Sequence, residues 1–207
     1  MIFLTGTVPL FFAILALSTG RYLYKALVTS SILLILTAYI TLSGNNMSYF
    51  ILAGALACSI LGDYFLSFKE KNKNHYIRGI LVFFAAHGFY LAYMLVKGVM
   101  HLPALLILVG VFGLYFILRM KKGIKERAML YAVLAYLLIS CFTLAASLGL
   151  EVDPTAKALL VSAIALIMFS DIMIAETDFM GNKMTGEWIL PSYYLAHILI
   201  LFAGFLV

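Results

Sequence analysis

Apolar residues in this chain do not alternate with polar ones at the period of a strand or of a one-sided helix. They come in blocks of about twenty, separated by short polar punctuation. A helix that crosses a bilayer needs about 20 predominantly apolar residues, and it must satisfy its own backbone groups. Eight blocks meet that requirement, at 2–19, 26–43, 48–68, 76–96, 102–118, 128–149, 155–175 and 188–207. Between them lie "GRYLYK", "SGNN", "KEKNKNH", "KGVMHLP", "RMKKGIKER", "EVDP" and "ETDFMGNKMTGE", which hold most of the charges and helix breakers. The pattern predicts an all-α polytopic membrane protein, with residues 1–207 forming a single domain of eight transmembrane helices. The first block has no basic segment ahead of it and no small-residue cleavage site after it. It is expected to stay as a helix and not to be removed as a signal peptide.

Composition removes the soluble alternatives. The chain is 65% hydrophobic and 11% charged, whereas soluble domains carry about 25% charged residues. Cys58 and Cys141 both fall inside apolar blocks, so free thiols are expected and a disulfide framework is not. Of the 14 Lys and Arg residues, 12 lie at the first, third, fifth and seventh connections, leaving only Lys97 and Lys157 for the other side. The positive-inside rule puts those odd connections in the cytoplasm and both termini on the non-cytoplasmic side. The net charge of +5 is thus a topology signal with some attraction for anionic lipid headgroups. It does not mark a nucleic-acid surface, because no basic patch is interleaved with exposed aromatics. Tyr22, Tyr24, Tyr76 and Trp188 fall where interfacial aromatic belts belong. Short loops and a compact length favour a bacterial inner membrane.

Ionisable residues at membrane depth are few: Asp63, His87, Asp171 and His197, with Lys25 opening the second helix from the cytoplasmic side. Such residues are costly in a bilayer and mark functional sites by default. They are also ordered. "SILGDYFLS" and "IMFSDIMIA" each put a small residue before Asp, and each is followed by a helix with a mid-span His, "FFAAHGFYLAYM" and "YYLAHILILF". Asp63 and Asp171 are 108 residues apart, and His87 and His197 are 110 apart. The spacing points to a 4+4 parallel pseudo-repeat, which would bring two carboxylates to one cavity in the cytoplasmic half. Tyr90, Tyr193 and Tyr194 lie three or four residues from a histidine, on its helix face. Plainer roles exist for each residue. A lone Asp can snorkel, a mid-span His can tie two helices together, and Lys25 can act only as a topology charge. Glu151, Asp153, Glu176, Asp178 and Glu187 are expected in loops as solvated charges.

Taken in order, "LGDYFL", "YIRGILVFFAAHGFYLAY", "FSDIMIA" and "YYLAHILI" resemble the YhhN family, which includes the lysoplasmalogenases. The residues carrying the resemblance are Gly62 and Asp63; Gly79, Phe83, His87 and Tyr90; Ser170 and Asp171; and Tyr193 and His197. The family's Lys-Pro at the start of the second helix is matched only in part, since Lys25 precedes Ala26. The resemblance implies eight helices and hydrolysis of the vinyl ether bond of a lysophospholipid drawn from the membrane, giving a fatty aldehyde and a glycerophospho-alcohol. That chemistry needs a general acid to protonate the carbon β to the ether oxygen, a base to activate water, and negative charge near the oxocarbenium ion. Two carboxylates in unlike surroundings supply all three, with Asp171 preferred as acid and Asp63 as base. Lys25, His87, Tyr90, Tyr193, Tyr194 and His197 are expected to bind or orient substrate and water. No metal or other cofactor is required.

Two other readings use the same residues. Asp63, His87, Asp171 and His197 contain zinc-ligand types, as in an intramembrane lipid amidase of the ceramidase kind, although no His-x3-His is present. Paired intramembrane aspartates in a parallel repeat also suit a proton-coupled transporter.

Overall fold

The computed structural model describes residues 2–20, 22–43, 47–69 and 73–207. These residues form eight helices: α1 (Ile2–Thr19), α2 (Tyr22–Ser43), α3 (Met47–Ser67), α4 (Lys73–Val96), α5 (Leu102–Gly123), α6 (Arg127–Leu148), α7 (Pro154–Met180) and α8 (Gly186–Gly204). Helix α5 runs through a wide π-turn at Phe116–Met120, and a short 3-10 turn, Lys183–Thr185, leads into α8. The only β-type pairing among the described residues is an isolated antiparallel bridge between Gly98 and Leu150. Helices α3 to α8 are long and apolar enough to cross a bilayer. The apolar stretches Gly6–Thr19 in α1 and Lys25–Tyr39 in α2 are helical but shorter. Arg21 and Lys71, which entered the charge count, lie outside the described residues, as do the side chains of Tyr22 and Tyr24.

The exterior is as apolar as the interior. Leu34, Leu106 and Ile107 are 71%, 74% and 66% exposed, and α5 buries nothing between Leu102 and Tyr115. In lipid such surfaces cost nothing, and helices associate through small residues and interhelical hydrogen bonds instead. Accordingly Ala13, Ala16, Ala55, Ala163, Ala196 and Ala203 are buried at the helix contacts. Thr143 donates to the His87 carbonyl at 3.3 Å, fastening α6 to α4, and Ser170 donates to the Ile189 carbonyl at 3.1 Å, fastening α7 to α8.

The packing repeats itself. Helix α3 packs most closely on α4, and α7 on α8. The contacts α1–α2, α2–α3 and α8–α2 recur as α5–α6, α6–α7 and α4–α6. Phe83 and Tyr193, which are 110 residues apart, meet edge to face with ring centroids 6.2 Å apart. These shared pairings follow the order of two four-helix halves, while the packing of α1 on α8 is not matched between α5 and α4. At the end of the bundle away from Lys69, the α4–α5 and α6–α7 connections are tied by Val99 N–H to the Gly149 carbonyl and Glu151 N–H to the Lys97 carbonyl, each 3.0 Å.

Helix α7 departs from its expected bounds. It continues past residue 175 to Met180 and ends at Gly181, whose φ of 69° gives a left-handed cap. The extension corrects two of the loop-charge expectations. Glu176 is buried, accepting from Arg119 Nε (2.5 Å), Arg119 Nη2 (2.7 Å) and Tyr115 Oη (2.6 Å). Asp178 takes both of its oxygens to Lys69 Nζ, at 2.6 and 2.7 Å. A 27-residue helix is longer than a bilayer core requires, and the charges of its last turns are neutralised by partners from α5 and the end of α3. Asp153 also does more than sit in water, since it caps α7 by accepting from Thr155 N–H at 2.8 Å and Ala156 N–H at 3.2 Å.

The Glu176 cluster is a strong tie between the otherwise peripheral α5 and the bundle. Glu176→Leu leaves Arg119 and Tyr115 without that acceptor. Trypsin is then expected to cut faster after Lys121 and Lys122 in nanodisc-held protein. An unchanged cleavage rate would show that α5 is held elsewhere.

Candidate active site

Asp63 lies four residues before the end of α3, and Asp171 lies well inside α7. Both line one cavity of about 270 Å3 between α2, α3, α7 and α8. Lys25, Ser67, Lys69, Ser170, Tyr193 and Tyr194 also contribute to its wall. Lys69 and Gly186 place this cavity at the end of the bundle that holds the odd-numbered connections.

Each carboxylate has its own donors. Tyr193 Oη donates to Asp63 Oδ2 at 3.1 Å, and Lys25 lines the same cavity. Tyr136 Oη donates to Asp171 Oδ2 at 2.8 Å, and His87 Nε2 lies 3.3 Å from the same oxygen. The other ring nitrogen of His87 is buried and has no partner among the described residues. With the proton on Nε2 the ring donates to the carboxylate and leaves only a lone pair orphaned, so that tautomer fits the site. Two donors on Oδ2 leave Oδ1 of Asp171 as its other oxygen for chemistry.

The holding is crossed between the halves. Asp63 of the first half receives Tyr193 from α8. Asp171 of the second half receives His87 from α4 and also Tyr136 from α6 of its own half. The last helix of each half thus reaches the carboxylate of the other. The small residue before each Asp allows this closeness. A Cβ on Gly62 would stand 2.6 Å from the Phe83 ring, and Ser170 fits while bonding to α8.

The remaining expected residues divide. Lys25, Tyr193 and Tyr194 line the cavity with the two aspartates. His87 reaches the site only through Asp171, and its ring sits edge-on to Tyr136 at 5.1 Å. Tyr90 and His197 are buried and do not line the cavity. Tyr90 stands behind His87, with ring centroids 6.4 Å apart. His197 uses Nδ1 on the Tyr193 carbonyl at 2.9 Å and packs its ring on Tyr193 at 4.3 Å. Both therefore support other site residues and do not face substrate. Tyr194 is 2% exposed, and its hydroxyl has no partner among the described residues. The four zinc-type residues are not gathered, and no group of three or more His, Cys, Asp or Glu forms a metal-holding cluster among the described residues. Cys58 and Cys141 are free thiols.

Sequence reasoning missed Tyr136 and Lys69. Tyr136 had a usable signal, because a tyrosine in mid-span is far from the interfacial belt and needs a polar partner.

A model of the YhhN family matches residues 20–204, a range that includes the two aspartates and all of their donors. No curated protein and no solved structure matches the chain. On the extent of that match, the chain belongs to the YhhN family.

Proposed function

We propose that the chain is a lysoplasmalogenase-like hydrolase acting on the vinyl ether bond of a membrane lysophospholipid. The observation that carries this reading is that Asp63 and Asp171, each held by separate donors, line one cavity. Family membership supports it independently. In this reading the eight helices act as one transmembrane unit of a bacterial inner membrane. Both termini are non-cytoplasmic, and the cavity lies in the cytoplasmic half.

Asp171 is the acid and Asp63 the base. Asp171 uses Oδ1 to protonate the vinyl carbon β to the ether oxygen, which leaves an oxocarbenium ion stabilised by the two carboxylates. Asp63, which shares its cavity with Lys25, takes a proton from the attacking water. The hemiacetal that forms then collapses to a fatty aldehyde and a glycerophospho-alcohol. Glycosidases handle a similar cation with a similar pair of carboxylates. Tyr194 forms part of the cavity wall, and no metal is needed for any step.

Mass spectrometry of purified protein given a lysoplasmalogen and, separately, an ester lysolipid tests the reaction. Fatty aldehyde from the first and no product from the second is expected. Fatty acid from the ester, or no product from either, would overturn it.

A further inference from the structure

The two carboxylates adjoin different surroundings. Next to the polar cavity lies a second one of about 70 Å3, bounded by α3, α4, α6 and α7 and sharing Leu66, Phe83, Asp171 and Ile174 with the first. The repeat relates one cavity to the other. At a spacing of 108 residues, Asp63, Leu66 and Ser67 of the polar cavity correspond to Asp171, Ile174 and Ala175 of the second. At a spacing of 110, Tyr193, Leu190 and Gly186 correspond to Phe83, Ile80 and Tyr76. The second cavity is thus the first one repeated in the other half.

The differences between the copies leave the second one smaller and less polar. Where α2 puts Lys25 on the wall, α6 puts Val133, and where α3 has Ser67, α7 has Ala175. Tyr76 fills the space that Gly186 leaves open. A third small cavity, about 40 Å3, continues the apolar side and shares Val133, Tyr136, Asp171 and Ala175.

We infer that these paired cavities form a bipartite site for a single-chain amphiphile, and this rests on Asp63 and Asp171 being the reacting pair. The headgroup and glycerol occupy the polar copy beside Lys25. The first carbons of the alkyl chain occupy the apolar copy beside Val133 and Ala175. The reacting bond lies where the copies meet, at Asp171. The apolar copy is too small for a whole chain, so it senses the segment next to the ether bond. Val133 and Ala175 become residues that determine chain specificity, although neither carries chemistry.

The test uses full-length protein in nanodiscs and saturated 1-alkyl lysophospholipids, which have no vinyl ether bond to hydrolyse, as a long-chain homologue and a short-chain one, the 1-methyl ether, whose single carbon does not reach into the apolar copy. Binding is read by native mass spectrometry. Val133→Phe fills the apolar copy. It is expected to weaken long-chain binding by roughly tenfold or more, the scale of steric discrimination in a hydrophobic pocket, and to leave the short-chain homologue bound as in the wild type. The 1-alkenyl homologues are expected to show the same split in KM. If Val133→Phe does not fold, Ala175→Leu on the same wall gives the same reading. Equal effects on both chain lengths, or none on either, overturn the bipartite site. Chain-selective binding without any alkenyl turnover would keep the site and reject the reaction.

Discussion

Asp171→Asn is expected to lower lysoplasmalogen turnover by about 10²–10⁴-fold, the usual contribution of one general acid or base, and Asp63→Asn to do the same. Asparagine keeps the shape of the side chain and an oxygen that can accept from Tyr136 or Tyr193. It can neither give up nor take up a proton under these conditions, and it carries no negative charge to face an oxocarbenium ion. The loss should therefore fall on kcat, with lysolipid binding largely kept. The double variant should lose little more than either single one, because residues acting as a unit are not additive. Gel filtration and circular dichroism should match the wild type, since half-buried carboxylates are replaced by neutral groups that bond the same donors. More than a tenth of wild-type activity in either variant would remove that aspartate from the reaction.

Gly149→Val is expected to cost about 1–3 kcal/mol through overpacking, and more once the neighbouring hydrogen bonds fail at about 1 kcal/mol each. A Cβ on Gly149 would stand 1.7 Å from the Val99 carbonyl oxygen, and one on Gly98 would stand 2.4 Å from the Gly149 carbonyl oxygen. Backbone meets backbone here, so no side chain can swing aside to relieve the clash. The two hydrogen bonds joining the α4–α5 and α6–α7 connections would have to break. The bridge is at the far end of the bundle from the cavity. The variant should then show a lower melting temperature by thermal gel filtration but nearly normal turnover in the cold. An unshifted melting temperature would show that the connections part without cost.

The sequence made the apolar helices and the carboxylate pair legible for one physical reason. An apolar block and a charge inside it are both expensive exceptions to ordinary composition, so they stand out without any knowledge of packing. The spacing of Asp63 to Asp171 likewise pointed to two carboxylates on one cavity, which they line together. What stayed hidden was which side chains turn inward. Tyr90 and His197 share helix faces with site residues, yet they sit one layer back, and helical spacing alone cannot separate the layers. Tyr136 comes from α6, a helix with no ionisable residue at depth to draw attention. Glu176 was read as a loop charge because its block looked finished at residue 175. Only its pairing with Arg119 and Tyr115 makes a carboxylate tolerable on the next turn of α7.

The crossed holding of the carboxylates bears on how such a chain could have arisen. Cut between α4 and α5, each half would keep its aspartate but lose the donor that the other half supplies. A half would therefore be incomplete alone and complete as a pair, which is the condition for an isologous homodimer. Were each half to cross four times, it would return to the side where it started, and two such copies would insert the same way up with no reversal of topology. Two joined copies would have no need to stay identical, and one could keep Lys25 on its wall while the other held Val133.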